Sequence, residues 1–304
     1  MLTATEYLYG VLLPNSSLIV QLTDCTPAAA VQLLMAKAAG DTLPSFVGAQ
    51  SLSPAISFRT PQVTTVLTAC GMWGYDMSGG NCDCHYRAAA NLSARGTSGT
   101  RIRAVKSLMY WTKLSVRQGG TAEISCTIQP TFDGTNAPMT AAGSIAVPTA
   151  ALAQELFTLG PVFLNGSQLS GVESWDLDLG VKIYMKPADG EIYPSFVCVE
   201  EHQPVLSIVA PKASLWGTYG LEGTALSALT FGLRKKTIDS ANNVAIATAV
   251  HVLFTATGGG AIFLDPLVGG ITDPANATLK IHFRRSAFVN SHALSVSTAS
   301  ALSA

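Results

Sequence analysis

The chain reads "GDTLPSFV" at residues 40–47 and "GEIYPSFV" at residues 190–197, the same glycine, acid and Pro-Ser-Phe-Val written twice. Sliding the sequence against itself by 150 positions also pairs Gly10 with Gly160, Asn15 with Asn165, Ser17 with Ser167, Val31 with Val181, Met35 with Met185 and Ala38 with Ala188. The register continues through Pro54 with Pro204, Ser57 with Ser207 and Pro61 with Pro211, fourteen identities over positions 10 to 61 without an insertion. Proline, glycine and asparagine set backbone shape at turns, so their recurrence in one register reads as a tandem duplication. Past Thr68 and Thr218 the register drifts, although "VRQGGTAEIS" (116–125) and "TATGGGAIFL" (255–264) look like corresponding hairpin tips.

The duplication divides the 304 residues into two units, 1–150 and 151–304, each long enough to bury its own core. Charged residues are only 12% of the chain and hydrophobic ones 48%, which predicts that partners cover much of the surface. There is no apolar run of about 18 residues for a membrane helix, and "MLTATEYLYG" lacks the basic and apolar segments of a signal peptide, so the reading is a protein made in the cytoplasm with no membrane partner. The net charge of −1 carries no polybasic footprint for tight nucleic-acid binding. The one local excess, "HYRAAANLSARGTSGTRIRAVK" (85–106), holds Arg87, Arg95, Arg101, Arg103 and Lys106 without an acid; it reads as a solvated loop or a contact with a neighbouring subunit.

Alternation sets the fold class. "WDLDLGVKIYMK" (175–186) puts Trp175, Leu177, Leu179, Val181, Ile183 and Met185 on one face and Asp176, Asp178, Lys182 and Lys186 on the other, a half-buried strand. "TAEISCTIQ", "LKIHFRR" and, more weakly, "NVAIATAVHVLF" (243–254) repeat the pattern between Gly, Pro, Asn and Asp clusters. The expectation is mainly β, two tandem antiparallel β-sandwich or barrel units with few short helices. "TPAAAVQLLMAKAAG" (26–40) has helix propensity, but its duplicate is the strand just described, so a strand is expected there too. "PTAALAQELF" (148–157) is an expected helix that links the halves or packs on the flank of a sheet. Pro44 and Pro194 should begin strands, and Pro54, Pro61, Pro204 and Pro211 should lie in turns or at sheet edges.

Chemistry-bearing residues concentrate in "CGMWGYDMSGGNCDCHY", which offers Cys70, Cys82, Cys84, His85, Asp76 and Asp83. Its C-x-C-H spacing is not that of paired zinc knuckles and has no counterpart in the second copy. The six cysteines read as reduced thiols, Cys126, Cys25 and Cys198 included, with zinc as the alternative. Asp176 and Asp178 could hold a cation but read as a solvated strand face. No G-x-S-x-G, phosphate loop or dinucleotide fingerprint occurs; "GTYGLEG" has the wrong spacing. The reading is therefore a non-enzyme with no catalytic, cofactor or metal residues.

The stretch "GPVFLNGSQLSGVESWDLDLGVKIYMKPADGEIYPSFVCVEEHQPVLSIVAPK" (160–212) resembles the major tail tube proteins of long-tailed, siphovirus-like bacteriophages, and residues 10–62 echo it. The likeness lies in the order of a "GPVFLNG" opening, a strand with alternating acids, a "DGEIYP" turn and a strand leading to "QPVLSI". It implies β units joined side by side, six around a lumen, in rings that stack into a DNA-conducting tube in the virion. With two units per chain, three chains complete the ring. The implied partners are the chain itself, the tape measure, tail terminator and tail tip proteins, and double-stranded DNA in transit; assembly would take place in the host cytoplasm. A wall that passes DNA should be neutral or acidic, with Arg87 to Lys106 turned elsewhere. The alternatives are a capsid decoration or tail terminator protein, a six-chain ring in which one half faces outward, and a metal enzyme on a duplicated β scaffold.

Overall fold

The computed structural model describes residues 5–13, 15–40, 42–72, 75–89, 95–149, 155–188, 190–219, 222–237, 242–257, 259–267, 269, 275–284 and 293–303. The protein is mainly β, with two short helices among the described residues. The N-terminal half comprises β1 (Thr5–Leu12), β2 (Leu18–Ile19), β3 (Asp24–Ala28), β4 (Val31–Ala36), β5 (Phe46–Leu52), β6 (Ala55–Thr60), α1 (Val63–Cys70), β7 (Tyr75–Ala89), β8 (Arg95–Arg117), β9 (Glu123–Pro130) and β10 (Met139–Ala146). The C-terminal half comprises β11 (Phe157–Leu164), β12 (Ser167–Gln168), β13 (Ser174–Asp178), β14 (Lys182–Pro187), β15 (Pro194–Glu201), β16 (Val205–Ala210), α2 (Leu215–Tyr219), β17 (Thr224–Leu226), β18 (Leu229–Lys235), β19 (His251–Ala256), β20 (Gly260–Leu264), β21 (Ala277–Phe283) and β22 (Leu294–Ser300).

The same pairing order recurs in both halves. One sheet runs β2-β1-β7-β8-β10 and its counterpart β12-β11-β18-β19-β22; the facing sheet runs β3-β6-β9-β8 and its counterpart β13-β16-β21-β20, closed by β17. The offset of 150 reappears in the registers: Asp24↔Arg59 and Cys25↔Phe58 become Ser174↔Val209 and Trp175↔Ile208. Gly10 and Gly160 both sit at bulges of their strands, where an added Cβ would lie 2.7 Å from the Ile19 carbonyl oxygen and 2.6 Å from that of Gly232. That close backbone approach excludes any side chain and explains why both copies hold glycine.

In the N-terminal half the two sheets share strands. β8 bends at Lys106 (φ 45°), whose carbonyl accepts the Thr131 N–H at 2.9 Å and the Thr131 hydroxyl at 2.6 Å. In the C-terminal half β19 and β20 are separate, and the corresponding bond runs from Arg284 N–H to the Gly259 carbonyl at 2.9 Å. The "TATGGGAIFL" stretch is therefore the corner between sheets and corresponds to the middle of β8, not to the 117–122 hairpin tip.

Other expectations are corrected in the same way. "WDLDLGVKIYMK" is broken after Asp178, where Gly180 (φ +55°) donates its N–H to Asp178 Oδ1 at 2.8 Å. Trp175, Leu177 and Leu179 are buried, while Met185 is exposed on the next strand. Only His251–Phe254 of "NVAIATAVHVLF" lies in a strand, the start of β19; Ile246 to Val250 form turns held by Thr248 N–H on the Ala245 carbonyl and Val250 N–H on that of Thr248. The strand expected over 26–40 is split: β3 ends at Ala28, the chain turns at Ala30 (φ 42°), and β4 begins a separate hairpin at Val31, exposed along its whole length and burying no face. The expected helix at 148–157 falls largely on 150–154, outside the described residues; Pro148, Thr149, Glu155 and Leu156 are not helical and Phe157 opens β11. Pro194 begins β15, and Pro54, Pro61, Pro204 and Pro211 lie between elements.

Buried apolar side chains of both halves form one contiguous core. Trp175 packs edge-on to Phe231 (centroids 5.1 Å apart) and Phe254 (6.1 Å), and the two phenylalanines stack at 4.9 Å. Aromatic pairs of this kind contribute about 0.5–1.5 kcal/mol each beyond area burial. The link between halves is anchored at Glu155, whose carboxylate accepts the Thr64 N–H (2.8 Å) and the hydroxyls of Thr64 and Thr65 at the start of α1.

Candidate assembly surfaces

The cysteine-histidine cluster is taken apart by the strand that carries it. Successive residues of a strand point to opposite faces, so Cys82 and Cys84 enter the core while Asp83 and His85 lie on the other face of β7. Cys70 ends α1, and the side chain of Asp76 lies outside the described residues. Among the described residues no three His, Cys, Asp or Glu side chains gather as a metal site. All six cysteines are free thiols, and burial pushes the Cys70 thiol up to about 12.

Asp83 is instead the anchor of the basic stretch. It accepts Arg103 Nε at 2.6 Å and Nη2 at 2.7 Å, with Arg101 Nη1 at 4.0 Å. Burial lowers the His85 pKa; Asp83 opposes this and the two arginines add to it. Arg87 lies over the Tyr9 ring at 5.6 Å and donates to the Gly96 carbonyl. The described part of 85–106 is thus a hairpin of β7 and β8, not a solvated loop; residues 90–94 and the Arg95 side chain lie outside the described residues.

Asp176 and Asp178 lie on the polar face of β13, beside Lys113 of β8, whose Nζ is 3.5 Å from Asp176 Oδ1. That contact marks a feature the sequence did not disclose. The edge of β8 at 113–117 pairs with β13, from Ser174↔Arg117 to Asp178↔Lys113, so the β3-β6-β9-β8 sheet of one half continues directly into the β13-β16-β21-β20 sheet of the other. Among the described residues the two outer ends of this sheet have no such partner. β3, the counterpart of β13, pairs only β6, and β20 is paired on its outer side only over Gly260–Ile262 by β17. Unpaired strand edges present open backbone donors and acceptors.

The exposed polar face of the continuous sheet carries Asp24, Glu123, Asp176, Asp178 and Asp265 against Arg59, Lys113, Arg117 and Lys280. Arg59–Asp24 (2.5 Å) and Lys280–Asp265 (2.7 Å) are ion pairs. Arg101 and Arg103 belong to the opposite sheet.

Two hairpins stand apart from both sheets, β4-β5 and β14-β15. The repeated Pro-Ser-Phe-Val lies here, opening β15 at Pro194 but entering β5 only at Phe46, so that Pro44 precedes its strand instead of beginning it; Met35↔Val47 and Ala36↔Phe46 are matched by Met185↔Val197 and Lys186↔Phe196. Met35 is 59%, Phe46 54% and Leu43 75% exposed. Such contiguous apolar exposure marks an interaction surface. The available signal was that Leu33, Leu34 and Met35 put apolar groups on both parities of one strand.

The second hairpin leans back on the N-terminal half. Leu52 N–H donates to the Ile192 carbonyl at 2.9 Å, Phe132 N–H to that of Pro194 at 2.8 Å, and the Phe132 and Tyr193 rings lie 5.9 Å apart. No helix among the described residues is long and apolar enough to cross a membrane. No protein-family model matches the chain, and no curated protein matches it.

Proposed function

We propose that the protein is a self-assembling structural subunit of a phage tail tube, a ring-forming virion protein with no catalytic role. The observation that carries the reading is the β8–β13 junction inside one chain, whose two surfaces recur at the outer ends of the same sheet, where among the described residues β3 pairs only β6 and β20 is covered only over Gly260–Ile262. A second copy that sets its β3 against the β20 edge, continuing into Asp265–Leu267, repeats that junction head to tail. Repetition of one heterologous contact closes into a ring when the rotation allows it, and leaves no sheet edge open. Three chains supply six similar units, the pseudo-sixfold ring that the resemblance to tail tube proteins implies.

The hairpins fit the same head-to-tail order. The offset of 150 maps the Leu52–Ile192 contact onto His202 of one copy and Thr42 of the next. The first hairpin, with Met35 and Phe46, then covers the neighbour's C-terminal half as β14-β15 covers the N-terminal half within the chain. The lumen is assigned to the polar face of the continuous sheet. Its charges are balanced and largely paired with one another, which leaves few cations to hold phosphate. DNA passes through; the tape measure, terminator and tip proteins are the other partners this reading expects, and the virion its location.

Electron microscopy of the purified protein viewed down the particle axis tests it. Stacked rings of three chains with six similar lobes are expected, and Met35→Asp with Phe46→Asp should abolish rings while leaving the monomer folded. Six-chain rings with peripheral knobs would overturn the pseudo-sixfold arrangement. Discrete monomers under all conditions would overturn assembly itself.

A further inference from the structure

Cys25 of β3 and Cys84 of β7 reach toward each other from facing sheets of the N-terminal half, with their Sγ atoms 2.9 Å apart. Cys25 is half-buried and Cys84 is buried. The two residues are 59 apart in sequence. Their place in the fold is informative. Cys25 corresponds to Trp175 by the 150 offset, and the residue set against each from the matching strand of the facing sheet is Cys84, partnered by Val11, in one half and Phe231, partnered by Val162, in the other. Where one half fills the space between its sheets with an indole on a phenyl ring, the other holds two sulfurs. Two cysteines bury far less apolar area than Trp and Phe, and a covalent bond would offset the difference.

We propose that Cys25 and Cys84 are an oxidation site that closes to a reversible disulfide, stapling β3 to the opposite sheet of the N-terminal half. Bond formation needs the sulfurs to approach by only about 1 Å, within the reach of small side-chain rotations. With glutathione disulfide as oxidant, the Cys25 thiolate attacks one of its sulfurs and releases one glutathione thiol. Cys84 then gives up its proton and displaces the second glutathione from the mixed disulfide. The balance is two protein thiols and one glutathione disulfide converted to one protein disulfide and two glutathione thiols. The hydrogen bond with Cys25 and burial both hold the Cys84 thiol well above its ordinary pKa, so the second step is slow near neutral pH and faster in alkali. In a reducing compartment the pair stays open; in an oxidising medium it closes. The staple fixes the strand whose free edge the assembly reading gives to the next copy, but its chemistry does not depend on that reading.

The full chain, purified under reductant, is incubated with glutathione disulfide at alkaline pH, quenched in acid, then unfolded and alkylated. Two of the six thiols should resist alkylation, with a loss of about 2 Da before alkylation and a cross-linked peptide joining Cys25 to Cys84. The melting midpoint should rise by roughly 5–10 °C and return on reduction. Cys82→Ala should keep the link and Cys25→Ala, at a half-buried position, should lose it. Six alkylated thiols after oxidation, glutathione retained on Cys25, or a link among Cys70, Cys82 and Cys126 would each overturn the proposal.

Discussion

The two halves of the chain solve one packing problem with different side chains. Between its sheets the C-terminal half buries Trp175 against Phe231 and Phe254, while the N-terminal half places Cys25 against Cys84 and keeps its sheets continuous through β7 and β8. Strand order is the same in both, and the β3–β6 register recurs in β13–β16. The comparison teaches that backbone pairing, set by turns, bulges and alternation, is separable from the choice of core residue, which needs only to fill the available volume.

The sharpest way to break the comparison is to empty both sites. Trp175→Ala should cost about 3–5 kcal/mol, whereas reduced Cys84→Ala should cost about 1 kcal/mol, both measured by denaturant titration. Equal losses would show that the two sites are not counterparts. Because one core joins the halves, Trp175→Ala should shift a single cooperative transition, and two separated transitions would show halves that fold independently.

The next effect concerns a polar anchor of the N-terminal half. Removing the Asp83 carboxylate leaves the half-buried Arg103 and Arg101 without their buried partner, so Asp83→Ala should destabilise by about 2–4 kcal/mol. Lys280→Ala, in an exposed pair of the other half, gives the contrast expected of a weak surface interaction. The smallest effect lies at the junction itself. Lys113→Ala removes an exposed contact with Asp176 and should cost at most about 1 kcal/mol, fading further in salt. A larger loss would mean that the ion pair, and not the β8–β13 ladder, holds the halves together.

Some of this was legible in the residues. The repeated prolines and glycines marked the matching turns, and alternation in "TAEISCTIQ" and "LKIHFRR" marked β9 and β21, because a strand with one buried face must alternate. The same rule failed at 175–186. The apolar period runs unbroken through Gly180 in the sequence, but the chain turns there and its second half leaves the core. Alternation reports which residues share a strand face; it does not say whether that face meets a core, a neighbour or solvent. The reactive cluster failed for a related reason. Cys84 and His85 are adjacent in sequence, and on a strand adjacency sends them to opposite faces.

By itself, then, the sequence determined the β class, the 150-residue register and the positions of the turns, because these follow from local backbone chemistry. Only the tertiary structure decided that "PSFV" lies on exposed hairpins, that β8 reaches across to β13, and that Cys25 meets Cys84. Those contacts join residues from distant parts of the chain, and pairing over such distances is set by how the sheets stack.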